Sequence, residues 1–171
     1  MTTTSLNTEH LSVAACNELL AGTSVGRLAV DIAGYPEIFP VNYVVVDGAV
    51  VFRTAAGTKL AGAALMHHVA FEIDGFEPST RTAWSVIVKG WAREIEDPTE
   101  RDAAEALPLV PWVASAKPNF VRIDPVEVTG RRFELADDVL VDESIGWTGF
   151  TFGRKPSPAT EPGHGASQLA D

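Results

Sequence analysis

The sequence predicts a mainly β fold with short helices (α+β), in which six or so antiparallel strands wrap into a closed or nearly closed barrel. Two observations carry this reading. Apolar runs rich in β-branched residues follow one another with turn signals between them, above all Asp47-Gly48, the dipeptide that best marks a two-residue hairpin. Most neighbouring runs are also joined by segments too short for the crossover helices that a parallel sheet needs.

The elements follow in chain order. "LSVAACNELLAG" (11–22) predicts a helix, with Ser12 as N-cap, leucines at helical spacing and Gly22 as the stop signal. "TSVGRLAVD" (23–31) predicts the first strand, and Gly34-Tyr35-Pro36 a turn. "PEIFPVNYVVVDGAVVFRT" predicts two strands joined at Asp47-Gly48, so the first three strands form an antiparallel meander. A helix is expected to open at Thr58 and Lys59 and to run to His67-His68.

"VAFEID" (69–74) predicts a fourth strand and "RTAWSVIVKGWAREIE" (81–96) a long fifth. Alternation along the fifth sets Trp84, Val86 and Val88 against Ser85, Ile87, Lys89 and Trp91, and Gly90 predicts a bulge or bend. "DPTERDAAEAL" (97–107) predicts a helix capped by Asp97, with Pro98 in the first turn and Glu100 completing a capping-box-like pair. "NFVRIDPVEVTGRRFEL" (119–135) predicts a sixth strand region interrupted at Pro125.

Both ends read as tails: residues 1–10 are polar, and 154–171 are rich in proline, glycine and small polar residues that cannot bury enough surface to order themselves. The domain is therefore expected over residues 11–153, with His10 and His164 solvated in the tails. The first ten residues lack the basic start and apolar core of a signal peptide, and no apolar run has membrane-spanning length, so the expected location is the cytoplasm.

Composition restricts the function classes. The net charge of −10 argues against nucleic acid, which is bound through arrays of lysine and arginine. Cys16 is the single cysteine, which excludes an internal disulfide and a cysteine-based metal cage and suits a small core residue. His67 and His68 are too poorly disposed on a helix to share a metal, with no third ligand at suitable spacing. No nucleophile elbow, Walker loop or dinucleotide glycine fingerprint is present.

One local pattern points to a ligand. Arg53 and Thr54 end a strand, Gly57 permits a turn, and Thr58 and Lys59 open the following helix. A helix start offers unpaired N–H groups and partial positive charge, so two cations and two hydroxyls there make a phosphate cradle. The arginine can bind in bidentate fashion and the lysine as a point charge. On chemistry alone the same two cations read equally well as surface charges on an acidic protein.

Taken together, "LLAGTSVGRLAV", "GYPEIFPVNYVV", "VVFRTAAGTKL", "VAFEIDG", "WSVIVKGWAREIED" and "VTGRR" resemble the pyridoxamine 5'-phosphate oxidase-like, FMN-binding split-barrel family, in its nitroimidazole-resistance-related subgroup. The resemblance covers about residues 10–135, most specifically at "PVNY" and "FRTAAGTKL". It implies a six-stranded antiparallel split β-barrel, a homodimer, and FMN in clefts at the dimer interface. Arg53, Thr54, Thr58 and Lys59 match the phosphate-holding positions. Pro40, Val41, Asn42 and Tyr43 match the strand that lines the flavin ring, and Trp84 and Ser85 the strand that closes over it. Trp147 is either a reach toward the partner's cofactor or a hydrophobic anchor for the C-terminal segment.

The arginine-rich substrate site of true pyridoxamine 5'-phosphate oxidases is not evident, since Arg131-Arg132 is the only adjacent arginine pair and sits in a strand-like run. The resemblance thus implies a flavin-dependent reductase, passing a hydride from a reduced nicotinamide to a small quinone or nitroaromatic acceptor, and not an oxidase of pyridoxamine 5'-phosphate. No general acid or base stands out, which suits flavin hydride chemistry. The alternatives are a deazaflavin-dependent reductase of the same fold, and a non-catalytic module that binds flavin or haem or senses redox state.

Overall fold

Two tight turns start the barrel. The structure, a computed structural model, describes residues 8–55, 67–109 and 118–135, with the backbone of 139–140 and 153–154. Strand β1 spans Thr8–His10, helix α1 Val13–Gly22, β2 Val25–Ile32, β3 Tyr35–Val46 and β4 Ala49–Thr54. At the β3–β4 turn Asp47 and Gly48 have φ of 50° and 77°, the pair of positive values that an Asp-Gly hairpin requires. The β2–β3 turn lies at Ala33 and Gly34, with φ of 54° and 85°, earlier than the expected Gly34-Tyr35-Pro36. The Asp31 carboxylate accepts from the Gly34 N–H at 2.8 Å, and Tyr35 and Pro36 join β3.

Strand β5 spans His67–Glu77, β6 Thr82–Glu94, α2 Pro98–Glu105, β7 Asn119–Glu134, and β8 (Val139–Leu140) pairs with β9 (Gly153–Arg154). All pairings are antiparallel, in the order β1-β7-β4-β3-β2-β5-β6, and β6 pairs back onto β7. Strands β2 to β7 therefore close a six-stranded split barrel, as the alternating apolar runs predict. One edge of β7 is shared: residues 119–123 pair with β4, while residues 131–133 pair with β1.

Several expectations change at the margins. Thr8–His10 are not in a tail; they form an edge strand opposite Phe133, Arg132 and Arg131. Arg154, placed in the C-terminal tail, pairs with Val139. His67 and His68 lie on β5 and not on a helix, and His68 meets the Trp91 ring edge-on at 4.7 Å. Thr58, Lys59, Trp147 and His164 lie outside the described residues. Among the described residues no helix is long and apolar enough to cross a membrane, and no three potential metal ligands cluster.

The expected irregularity at Gly90 is a bulge: Lys89 pairs with Glu127 and Gly90 with Pro125, leaving Val126 as the extra residue, 75% exposed. Proline has no N–H for the ladder, so a break at Pro125 costs least there.

Inward-facing side chains form the main core, including Leu28, Val41, Tyr43, Phe52, Phe71, Val86 and Ile123. Helix α1 adds Cys16 and Leu20 to it. Ser12 caps the helix through the Ala15 N–H, and burial pushes the Cys16 thiol up, which keeps it a neutral packing group. The far end of α1 stops without a left-handed glycine: the Thr23 hydroxyl donates to the Leu19 carbonyl and the Tyr43 hydroxyl to that of Leu20.

A second, smaller core lies outside the barrel wall. Helix α2 places Ala104 there with Val51, Ile95, Leu109 and Phe120, while Val44, Val46 and Leu107 pack around them. Asp97 caps α2 through the Glu100 N–H at 2.9 Å, but the Glu100 carboxylate does not complete a capping box. It instead takes two hydrogen bonds, at 2.9 and 2.7 Å, from the Arg93 guanidinium on β6. Arg93 also donates to Asp124, and Arg122 bonds Asp124 at 2.6 Å, so two arginines and two carboxylates tie α2 to the barrel wall.

The Arg93 hydrogen bonds hold the Glu100 carboxyl below its usual value, with smaller help from the charges of Arg93 and Arg122. A depressed carboxyl stabilises the fold above its unfolded-state value, near 4.5, and that contribution is lost as pH falls through the lower folded value. Glu100→Gln is accordingly expected to lower stability at neutral pH and to flatten the decline below about pH 4.5. Urea midpoints of both proteins across pH 3–7 check this; parallel curves would refute it.

Candidate functional site

A period of two sorts the expected site residues onto opposite faces of the barrel wall. Val50 and Phe52 of β4 enter the inner core while Val51 joins the outer one. Arg53 therefore points outward and Thr54 inward, where it is buried. On β3, Val41 and Tyr43 face in and Val44 and Val46 pack outside, so Pro40 and Asn42 share the outer face with Arg53. One residue beyond the Tyr43–Phe52 pair, Asn42 and Arg53 stand beside each other across the β3–β4 ladder.

Arg53 is half-buried, and its guanidinium carbon lies over the ring of Phe120, its cross-strand partner on β7, at 4.9 Å from the centroid. The outer face thus carries a cation on an aromatic plate, next to a half-buried amide that can both donate and accept. This donor set fits a phosphate on an apolar body.

Tyr43 does not line that face. Its side chain is 2% exposed and meets Phe71 edge-on at 4.7 Å, and its hydroxyl is engaged with Thr23 and the Leu20 carbonyl. Its N–H is committed as well, donating to the Ser24 carbonyl at 3.0 Å, and inward-facing Val41 likewise turns its side chain away from that face. Burial pushes the Tyr43 phenol up, so it stays protonated.

Trp84 and Ser85 fall on opposite faces of β6. Trp84 packs toward the inner core over Gly75, where an added Cβ would come within 2.3 Å of its Cζ2. Ser85 lies outside, between Asp74 on β5 and Arg131 on β7. Strand β7 separates them from β4 on one side, and β5 and β2 separate them from β3 on the other. One chain therefore does not bring them to Arg53.

Arg131 and Arg132 also divide. Arg131 is exposed on the face of Ser85, while Arg132 stands opposite Trp84 and reaches the Glu9 carboxylate at 3.8 Å. The pair cannot act as a joint anion clamp.

Two residues near the site escape sequence reasoning. Arg27 stands opposite Pro40 and binds Glu72 at 3.2 Å and Asp74, both on the neighbouring β5, which puts a three-charge group on the outer face beside β3. Burial pushes the Glu72 carboxyl up, Arg27 pulls it back and Asp74 pushes it further. The one available signal was a lone cation in the apolar run "VGRLAV". Phe120 had none, because nothing local distinguishes it from other core aromatics.

Residues 12–132 match the family model described as pyridoxamine 5'-phosphate oxidase, and the chain belongs to that family. An uncharacterized protein of Mycobacterium tuberculosis is 41% identical over 119 residues, covering 67% of this chain and 78% of its own. The solved structure of the FAD binding protein from Mycobacterium smegmatis has a TM-score of 0.66 at 38% identity, covering 74% of this chain and 98% of that one. At 13% identity, a structure from Bacteroides thetaiotaomicron named for 5-nitroimidazole antibiotic resistance shares the fold, with a TM-score of 0.59 over 75% of this chain and 89% of that one.

Proposed function

We propose that the chain is a flavoprotein that holds FMN on the outer face of β3 and β4 and works as a flavin-dependent reductase. Its electron donor would be a reduced nicotinamide and its acceptor a small quinone or nitroaromatic. The observation that supports this reading is the half-buried Arg53 over Phe120 beside the half-buried Asn42, a cation and an amide that would meet the phosphate and the ring. Thr58 and Lys59 would complete the anchor. A bound flavin supplies hydride acceptance and donation at its ring. The protein's part is to hold the phosphate through Arg53, to meet the ring edge with Asn42 and the backbone of residues 40–43, and to exclude water.

A second copy of the chain would cover this face. Ile38, on the strand and the outer face that carry Asn42, is 65% exposed, an apolar side chain that a second copy would bury. In such a homodimer outward-facing Ser85 of one chain would approach the flavin of the other, while Trp84 stays packed on the inner core. The separation of Arg131 from Arg132 favours a substrate other than pyridoxamine 5'-phosphate.

Absorbance spectra and titration of the stripped protein with FMN, FAD and the deazaflavin coenzyme test the cofactor. Stoichiometric FMN binding supports the reading, and deazaflavin binding alone would move the protein to the other cofactor class. Arg53→Ala is expected to weaken FMN binding about tenfold or more, since hydrogen bonds to charged groups are worth roughly 1.5 to 3 kcal/mol. Unchanged affinity would remove the anchor. Rapid-mixing reduction by nicotinamide cofactors separates a reductase from a storage or sensing module, which would be reduced slowly and show no acceptor-dependent turnover.

A further inference from the structure

Phe120 belongs to the outer core and also touches the Arg53 side chain. One side of the residue is committed to the outer core, where it is 2% exposed among Val51, Ile95, Ala104 and Leu109. The backbone at Phe120 is fixed as well, because its carbonyl accepts from the Ile95 N–H at 2.9 Å and its strand is paired with β4. The ring also lies under the Arg53 guanidinium. The aromatic plate is thus immobilised by α2 packing, while the cation resting on it is at the wall's outer face.

We infer that Phe120 is a positioning residue for the flavin phosphate: its ring holds the Arg53 guanidinium in the orientation that binds the anion. The inference rests on the proposed role of Arg53. A guanidinium whose carbon is seated over an aromatic ring has fewer orientations open to it, which narrows the directions its N–H donors can take toward acceptors beside the ring. An arginine on a flexible stem must otherwise order several rotatable bonds when it binds, and a preset orientation removes part of that cost. Phe120 touches no ligand in this arrangement and acts through Arg53.

The test compares FMN with riboflavin, which lacks the phosphate, in full-length wild type, Arg53→Ala, Phe120→Leu and the double variant. Flavin fluorescence reads affinity and circular dichroism confirms folding. Phe120→Leu keeps apolar bulk and removes the ring. It is expected to weaken FMN binding roughly three- to fivefold, the size of a partly exposed cation–ring contact. Riboflavin affinity should stay unchanged, and Phe120→Leu should have no further effect in the Arg53→Ala background.

Tight FMN binding by Phe120→Leu, with loss in Arg53→Ala, would overturn the inference and leave the anchor standing. Equal losses for FMN and riboflavin, or additive effects in the double variant, would also overturn it, since they describe a packing residue. Unchanged FMN affinity in Arg53→Ala would instead overturn the underlying reading. A wild-type measurement covers the case in which Phe120→Leu does not fold. The Arg53 Nε–Hε resonance, identified by its loss in Arg53→Lys, is expected upfield of the other arginines and to move with FMN but not with riboflavin. An unshifted resonance would refute the inference.

Discussion

Phe71→Ala is expected to lower the stability of the protein by about 3 to 5 kcal/mol, the upper range for truncating a core aromatic. Phe71 is fully buried on β5 and meets the Tyr43 ring at 68°. Its ring also occupies the space above Gly26, where an added Cβ would lie 2.2 Å from Cζ. The neighbours cannot refill that space. Gly26 has no side chain, and Tyr43 is tied to Thr23 and the Leu20 carbonyl. The cavity therefore persists and the cost is not relieved by collapse. Urea denaturation gives the value, and a loss under about 1.5 kcal/mol would contradict this account. The pair is also expected to be coupled. Gly26→Ala should destabilise wild type, because it drives a methyl into the ring, and should cost less in the Phe71→Ala background, where the Glu72 carbonyl oxygen, 2.9 Å away, still crowds the methyl.

Gly90→Ala is expected to cost about 3 kcal/mol, at the top of the range for overpacking. The obstruction here is backbone: the new Cβ would stand 2.4 Å from the Asp124 carbonyl oxygen and 2.9 Å from Ile123 Cγ2. Asp124 cannot easily withdraw. It pairs with Trp91, its carboxylate bonds Arg93 and Arg122, and Pro125 follows it at the bulge. Burial opposes ionisation of Asp124, but hydrogen bonds and charge from Arg122 and Arg93 hold its carboxyl below the usual value. Relief by moving Asp124 would disturb the network that holds α2. Thermal unfolding of Gly90→Ala should thus show a lowered midpoint, and a midpoint equal to wild type would show that the bulge is more compliant than its contacts indicate.

The legible parts of this fold are those whose cause is local. Asp47-Gly48 dictates a hairpin because both residues tolerate positive φ, and Ser12 and Asp97 cap helices through hydroxyl and carboxylate groups only three residues from the N–H they accept. Gly90 and Pro125 read as an irregularity because one lacks a side chain and the other a donor, and both fall at the same bulge. Arg53 was nameable because it ends a strand just before a turn and a second cation, whereas Asn42 was nameable only through the resemblance carried by "PVNY". Alternation along β3, taken strictly, sets Tyr43 inward, where the structure finds it.

Other features depend on contacts between different elements, and no pattern within one element encodes them. Whether Glu100 closes a capping box or binds Arg93 is a competition between a backbone N–H and a guanidinium on another element, and the charged, bidentate partner wins. Thr8–His10 look like a tail because three polar residues have no intrinsic reason to order; they become a strand because β7 extends past β4 and leaves an edge open. The seat of Arg53 on Phe120 joins residues 67 positions apart and needs the β4–β7 ladder first. Residue types and their spacing thus settle the strands, turns, caps and the face each side chain takes. The closure of the barrel settles which faces meet, because contacts between distant segments exist only after the ladders have brought them together.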